Sequence, residues 1–286
     1  MIRAPNTLRA VSYNLLADQF AYHHTYCPPQ ALQWPHRIAR ILHQLVELDS
    51  DLLFLQEVEH RVYHQQLQAT LDTLGYDSLY CSTRPNPEED FGPVLAYRRD
   101  RLGLSHPESK RTCTFCSALN SWHPPAVDAP DDAFHGPLRT HGEGAAMAML
   151  HTTTGPPSSA QTVVAVSTHL HWDPRLPDVK ATQAAVLCSE VERFRKSMGA
   201  PDAAVIIGGD FNSLPEKRQP DAFDPKIAET GLVSGAYTIM TQGYMATDHP
   251  DHPVVRRALS STSQVCLVCA PCLSTINLPC VTVSIS

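Results

Sequence analysis

Four short apolar runs, each ending in a polar residue, constrain the fold of this 286-residue chain more than any other feature. The runs begin near Val11, Leu52, Val163 and Val205, and they end at Asn14, Glu57, His169 and Asp210. Runs of this length and composition predict buried strands. Because α/β sheets build their sites at the carboxyl ends of strands, we expect the four polar residues to lie close together.

Three longer segments, at residues 34–51, 62–78 and 178–198, have apolar residues at helical spacing. Pro35 suits the first turn of the first helix, and Gly75 predicts the end of the second. Leu187, Val191, Phe194 and Met198 are expected along one stripe of the third helix. Strands and helices therefore alternate along the chain, which predicts an α/β fold.

The composition limits the classes of function. Apolar residues make up 43% of the chain, and the net charge is −7, which argues against a broad basic face for nucleic acid. A nuclease that neutralises phosphate with metal ions remains compatible with that charge. The sequence has no apolar stretch of about 18 residues, so no membrane span is predicted. Nine cysteines without framework spacing favour a reducing compartment, so we expect a cytoplasmic or nuclear protein.

The residues at the ends of the runs are typical of a metal site. Asn14, Glu57, Asp210 and Asn212 carry the hard oxygen ligands that Mg²⁺ or Mn²⁺ takes. Two carboxylates can hold one ion or two, and two paired ions would lie roughly 3.5–4 Å apart. His169 could donate a hydrogen bond to a phosphate oxygen. Each residue alone is more often a solvated strand end or a turn, so the hypothesis depends on their combination.

Several motifs carry a family resemblance. The stretches "VSYNLLADQFAYHHTYCPPQALQWPHRIARIL", "LLFLQEVE", "STHLHWDPRLPDVKATQ" and "GGDFNSLP" resemble the endonuclease/exonuclease/phosphatase superfamily. They are most similar to the catalytic domain of the carbon catabolite repressor type poly(A) deadenylases, over about residues 8–257. The resemblance implies a deoxyribonuclease-I-like fold, an α/β sandwich of two sheets.

The resemblance also implies roles for the residues at the strand ends. It makes Glu57 and Asp210 ligands of two Mg²⁺ (or Mn²⁺) ions, with Asn14 supporting the metal site. Asp210 would also orient or deprotonate the attacking water, so Glu57, Asp210 and His169 are the expected catalytic residues. His169, Pro174 and Asn212 fall where the family holds the terminal nucleotide and its scissile phosphate.

A further substrate-contacting glutamate of the family corresponds to Glu88 or Glu89, and we select Glu89. The implied reaction is hydrolysis of the 3′-terminal phosphodiester of poly(A), which releases 5′-AMP. Two alternatives stay open: a sister phosphodiesterase or phosphatase acting on a small nucleotide or 2′,5′-oligoadenylate, and an inactive truncated product. RNA or a small nucleotide is the expected partner. Stable membership of a deadenylase complex is not expected, because no leucine-rich repeat precedes the catalytic strands.

The chain departs from the family after "GGDFN". The family's later Asp-Tyr-Ile-like and Ser-Asp-His motifs are not found in the sequence, so we expect a sandwich that is incomplete at its C-terminus. The predicted organisation is a truncated domain at 1–257, with an inserted loop at about 113–143, and a divergent Cys-rich tail at 258–286. The pairs Asp248-His249 and Asp251-His252 are interpreted as a surface loop, not as the missing catalytic pair.

The tail contains four cysteines whose spacing invites a zinc hypothesis: Cys266, Cys269, Cys272 and Cys280. Zinc sites more often have two ligand pairs separated by a longer loop, so a divergent end is the favoured interpretation.

Overall fold

Two mixed β-sheets carry the predicted polar residues at one edge of the protein. The computed structural model describes residues 7–119, 142–154, 160–224, 227–228, 230–257, 267–268 and 282–285, the last two ranges by their backbone. The strands are β1 (Arg9–Asn14), β2 (Leu52–Glu59), β3 (Tyr76–Tyr80), β4 (Phe91–Arg98), β5 (Leu102–Leu104), β6 (Lys110–Thr114), β7 (Gly144–Thr152), β8 (Thr162–His169), β9 (Ala204–Asp210), β10 (Glu216–Lys217), β11 (Leu232–Val233), β12 (Tyr244–Met245), β13 (Leu267–Val268) and β14 (Thr282–Ile285).

The first sheet has the strand order β14-β1-β2-β4-β3, and β1 is parallel to both of its neighbours. The second sheet has the order β5-β7-β8-β9, with β6 also paired to β7, and β8 parallel to β9. Among the described residues β9 is an edge strand of this second sheet. Two short antiparallel pairs, β10 with β11 and β12 with β13, lie outside the two sheets.

Helices cover the outer faces of both sheets. They are α1 (Asp18–Ala21), α2 (Pro29–Leu32), α3 (Trp34–Leu48), α4 (His60–Val62), which continues through a π-helical turn (Tyr63–Leu67) into α5 (Gln68–Thr73), then α6 (Phe115–Leu119), α7 (Pro177–Ser197), α8 (Gly235–Gln242) and α9 (Pro253–Arg256). Pro35 lies in the first turn of α3, and Gly75 follows α5 with a φ of +86°. Both helix-boundary predictions are therefore confirmed.

Three apolar layers hold the sandwich together. One joins the first sheet to α3 and α5, and another joins the second sheet to α6, α7 and α8. The third lies between the sheets, where Phe54 and Leu95 of the first sheet pack with Ala146 and Ala165 of the second. This arrangement confirms the predicted α/β class and its two-sheet architecture.

Helix α7 buries the predicted stripe against the second sheet, and it also buries residues on other faces, Asp178 and Lys180 included, because further elements cover it. Two local expectations differ from the structure. The segment expected as an inserted loop at about 113–143 begins with the end of β6 and with α6, where Phe115 is 1% exposed, while residues 120–141 lie outside the described residues. Asp251 and His252 are buried, because they cap α9 and hold the start of α8, so the surface-loop interpretation fails for them.

The C-terminal tail lies mostly outside the described residues. All four cysteines of the zinc hypothesis fall there. Residues 282–285 are described as β14, which pairs in parallel with β1 and covers that edge of the first sheet. None of the helices in the described ranges is both long enough and apolar enough to cross a membrane.

The close approach of the two sheets explains the first glycine of the Gly-Gly-Asp motif and provides a test. A Cβ at Gly208 would lie 2.2 Å from the Phe54 ring of the opposite sheet. We expect Gly208→Ala to lower the free energy of unfolding by about 1–3 kcal/mol through overpacking. Adding Phe54→Leu should recover part of that loss in urea denaturation. Additive effects of the two substitutions would contradict this packing.

Candidate active site

The side-chain amide of Asn14 joins the two predicted metal-binding carboxylates. Its Nδ2 donates to Glu57 Oε1 at 2.8 Å and to Asp210 Oδ2 at 3.1 Å. Its Oδ1 accepts a hydrogen bond from the Leu16 backbone N–H at 2.9 Å. A flipped amide would place Oδ1 against two carboxylates, so this network fixes its orientation. The expected cluster of strand ends therefore forms, with Glu57 from the first sheet and Asp210 from the second.

A β-bulge in β2 aims Glu57 at the cluster. The register between β2 and β4 shifts between Leu55 and Val58, so that one extra residue of β2 lies in this interval. Glu57 itself has a φ of +55°, a conformation that non-glycine residues rarely adopt. Its Oε2 accepts from the Ala17 backbone N–H at 3.0 Å. The strained backbone at this position is of the kind that functional sites retain.

The end of β9 is held by close packing and by a turn. A Cβ at Gly209 would lie 2.3 Å from the Thr168 carbonyl oxygen, so only glycine fits beside β8. Asp210 Oδ1 then accepts from the Asn212 backbone N–H at 2.8 Å, in an Asx turn. Asn212 has a φ of +46°, which asparagine tolerates better than most residues.

Asn212 also fixes the tautomer of His169. Its Nδ2 donates to the Leu170 carbonyl at 3.0 Å and lies 2.9 Å from His169 Nε2. Because the Leu170 carbonyl can only accept, Nδ2 is the group that faces Nε2, and Nε2 is the acceptor. The neutral ring therefore carries its proton on Nδ1. The His169 side chain is buried at the base of the cluster.

The loop that contains Pro174 is tied down on both sides. Asp173 accepts a two-pronged hydrogen bond from Arg175, and Lys180 of α7 donates to the Asp173 carbonyl at 3.1 Å. Arg175 lowers the pKa of Asp173 to about 2. Pro174, half-buried between these anchors, lies five residues after His169, so the structure places it on the loop leaving the cluster.

Glu89 is not brought into the cluster by any contact within the described residues. Glu88 and Glu89 are both exposed, on the loop between β3 and β4. The neighbouring Asp90 is buried and accepts from the backbone N–H groups of Thr83 and Arg84, which shapes this loop. The role expected for Glu89 stays a prediction.

Two anchors of the site were not identified from the sequence. Arg37 of α3 donates to the carbonyls of Leu15 and Leu16 and to Asp18, and so fixes the loop that follows Asn14. The second anchor is Glu143, which directly precedes β7. Since β7 is antiparallel to β8, the start of β7 lies beside the end of β8. A search of strand C-termini alone misses such a residue.

Glu143 connects the start of β7 with the loop after β8. Its Oε1 accepts from His171 Nδ1 and its Oε2 from Gln183 Nε2, both at 2.8 Å. The side-chain amide oxygen of Gln183, Oε1, accepts in turn from the His171 backbone N–H at 2.8 Å. Burial works to raise the pKa of Glu143, but the hydrogen bonds from His171 and Gln183 outweigh it and lower that pKa. The half-buried carboxylate thus stays ionised and holds the loop.

The donor set at the strand ends fits a hard divalent cation. Each oxygen of Glu57 and Asp210 accepts one hydrogen bond, which leaves further lone-pair capacity on all four. Asn14 supports the site by holding the carboxylates, since its own oxygen is bonded to Leu16. Two carboxylates suit Mg²⁺, which keeps several waters and binds substrate phosphate. In the described ranges no three side chains of His, Cys, Asp or Glu form a metal-binding group.

Comparison with known proteins identifies the family. A profile of the Endonuclease/Exonuclease/phosphatase family matches residues 11–262, and the chain belongs to this family. The resemblance inferred from the motifs is thereby confirmed.

Curated relatives include Ccr4 proteins described as 3′-5′-exoribonuclease subunits of the CCR4-Not complex. The Yarrowia lipolytica protein is 27% identical over 276 residues, which cover 86% of this chain and 35% of that protein. The Saccharomyces cerevisiae protein is 28% identical over 227 residues, 73% of this chain and 26% of that protein. The chain thus spans about a third of the length of these relatives, or less.

Solved structures show the same fold. The crystal structure of ANGEL2, described as a 2′,3′-cyclic phosphatase, aligns with a TM-score of 0.57 at 23% identity, over 82% of this chain and 57% of that one. The human Nocturnin catalytic domain aligns with a TM-score of 0.56 at 17% identity, over 84% of this chain and 71% of that one.

The left-handed backbone at Glu57 predicts an unusual order of stability. Glycine adopts a φ of +55° without the steric cost that alanine has. We therefore expect Glu57→Gly to be more stable than Glu57→Ala, by about 1 kcal/mol in urea denaturation. Glu47 lies within α3 and its side chain is 65% exposed, so the matched pair Glu47→Gly and Glu47→Ala should show the reverse order, because alanine favours a helix over glycine. The same order at both positions would exclude strain at Glu57.

Proposed function

We propose that this chain is a Mg²⁺-dependent hydrolase of phosphate esters, and that its substrate is the 3′-terminal phosphodiester of poly(A) RNA, from which it releases 5′-AMP. The observation that carries the proposal is the pair of carboxylates, Glu57 and Asp210, held together by one amide at the edge of both sheets. Two anionic side chains held this closely repel each other unless a cation lies between them. The names of the Ccr4 relatives support the choice of RNA as substrate.

Each residue of the cluster has a task that its position permits. Glu57 and Asp210 would hold the ion, which supplies polarisation of the phosphoryl group and acidification of a water. Asp210, half-buried at the end of β9, would also accept the proton of the attacking water. Both amide hydrogens of Asn212 are donated, to His169 Nε2 and to the Leu170 carbonyl, so Asn212 would bind the scissile phosphate by exchanging one of these hydrogen bonds for one to a phosphate oxygen. Pro174 would form an apolar edge for the terminal base.

The second candidate is a sister activity on a small nucleotide or on 2′,5′-oligoadenylate. The net charge of −7 favours it, since the chain has few basic residues to attract a long phosphate backbone. The ANGEL2 description, a 2′,3′-cyclic phosphatase, is an example of such chemistry on this fold. The third possibility, an inactive product, predicts no turnover of any substrate.

The proposal predicts stepwise, EDTA-sensitive shortening of a 5′-labelled RNA with an oligo(A) tail. Glu57→Gln and Asp210→Asn should each reduce the rate by at least about 100-fold, because each removes a charge from the metal site. Glu47→Gln, an exposed carboxylate on α3 that is 65% exposed, is the matched control and should leave the rate unchanged.

Parallel assays with 2′,5′-oligoadenylate, NADP and a 2′,3′-cyclic nucleotide separate the first two candidates. Faster turnover of any of these than of oligo(A) would transfer the assignment to the sister activity. If a folded protein turns over none of the substrates, the hydrolase proposal fails.

A further inference from the structure

Two histidines lie side by side at the start of the helix that follows β2. His60 is the first residue of α4, and His64 lies in the π-helical turn that continues it. Their ring centroids are 4.3 Å apart, with an angle of 53° between the ring planes. Residues four apart on a helix share one face, and two histidines at this spacing can bind one metal ion together. The pair therefore has the arrangement of a two-point metal ligand.

The helix is irregular at this pair. The Gln68 backbone N–H donates to the Tyr63 carbonyl, five residues earlier in the chain, which makes the turn around His64 a π-turn. Such turns are rare and occur frequently at functional sites. The backbone N–H of His60 donates to the Asp90 carbonyl at 2.9 Å, so the first residue of the helix is fixed to the segment before β4.

Two tyrosines pack against the imidazoles and orient them. The Tyr80 ring of β3 lies 6.0 Å from both histidine rings, centroid to centroid. Tyr63 stacks on Tyr80 at 5.0 Å and meets the His64 ring edge-on, also at 5.0 Å. Because these contacts restrict the rotation of the imidazoles, little side-chain entropy remains to be lost when an ion binds.

The ring nitrogens of both histidines are available to a ligand. In the part of the chain that the structure describes, neither His60 nor His64 has a hydrogen-bonding partner for its ring nitrogens. His64 is exposed and His60 half-buried, so solvent reaches the pair. The exposed His43 of α3 differs, since its Nε2 lies 3.3 Å from a Glu47 carboxylate oxygen. Metal ions bind neutral imidazole through such unoccupied nitrogen lone pairs.

Negative charge lies beside the pair. Asp90 and Glu59 are buried, at 1% and 6% exposure. Arg61 donates to Glu59 at 2.9 Å, whereas no cationic side chain of the described ranges forms an ion pair with Asp90. Burial, followed by the charge of Asp90, raises the pKa of Tyr80, so its phenol stays protonated and donates to Asp90 Oδ2 at 2.9 Å. A cation on the imidazoles would thus experience attraction from Asp90, while Tyr80 is not a ligand.

We propose that His60 and His64 form a binding site for a divalent transition-metal ion of the Zn²⁺ class, separate from the carboxylate cluster. Imidazole suits Zn²⁺, Ni²⁺ and Cu²⁺, whereas Mg²⁺ takes hard oxygen ligands, so the two sites select different ions. Within the described ranges no third side chain of a metal-binding type joins the pair, and water completes the coordination. The proposal is independent of the hydrolase activity.

The site binds an ion without the chemistry of zinc-protease helices. In those helices the first histidine is followed by a glutamate that acts as a general base. Here Arg61 follows His60, and it is paired with Glu59. The pair therefore has no adjacent base to activate a metal-bound water, and its expected effect is to fasten the first turns of this helix to each other.

The test is a calorimetric titration with Ni²⁺ in excess Mg²⁺ at neutral pH. Ni²⁺ is the probe because imidazole suits it, while thiolates such as those of the chain's cysteines select Zn²⁺. His60→Gln and His64→Gln should each weaken Ni²⁺ binding by about 100-fold, the lower end of the gain from a second linked ligand. His43→Gln, at a histidine whose side chain is 74% exposed, is the matched control and should leave the affinity unchanged.

Urea denaturation provides a second readout and checks that the variants fold. An ion that binds only the folded pair should raise the urea midpoint of the unmodified chain and of His43→Gln, but not of the two site variants. Without Ni²⁺ the exposed variant His64→Gln should unfold at the same urea concentration as the unmodified chain. Ni²⁺ binding that persists in both site variants, that excess Mg²⁺ abolishes, or that is absent from the folded unmodified chain would overturn the proposal.

Discussion

The amide of Asn14, held between Glu57 and Asp210, is the interaction on which the rest of the site depends. It joins carboxylates from two different sheets, so it exists only if those sheets close to the right separation. Gly208 permits that closure against Phe54, and the β2 bulge turns Glu57 toward the gap. The packing of the two sheets therefore determines the geometry of the site, because any change in the sheet separation also moves the two carboxylates.

The surrounding residues act mainly by fixing loops. Arg37 binds the carbonyls after β1, Glu143 binds His171 after β8, and Asn212 bonds back to Leu170. Each anchor places a charged or amide group against backbone that would otherwise be free to move. A site assembled from loops of two sheets needs such anchors, since reacting groups must be positioned within fractions of an ångström.

Much of this was predictable from the sequence. Apolar runs ending in Asn14, Glu57, His169 and Asp210 predicted the cluster, because strand ends of one edge converge. The sandwich itself came from the family resemblance, since alternating strands and helices do not reveal how two sheets face each other. The bulge at Glu57, the burial of Asp251 and the anchor Glu143 were not predictable by strand-end patterns. They depend on register, on helix packing and on an antiparallel strand that enters the same edge.

We propose that Glu57 and Asp210 form a divalent-cation site. Its most direct test is a titration of Mn²⁺ followed by electron paramagnetic resonance, on the unmodified chain, Glu57→Gln, Asp210→Asn and the control Glu47→Gln. Saturable Mn²⁺ binding is expected for the unmodified chain and the control, and it should be lost in both site variants. Binding that persists in Glu57→Gln and Asp210→Asn, or no binding to the folded chain, would contradict it.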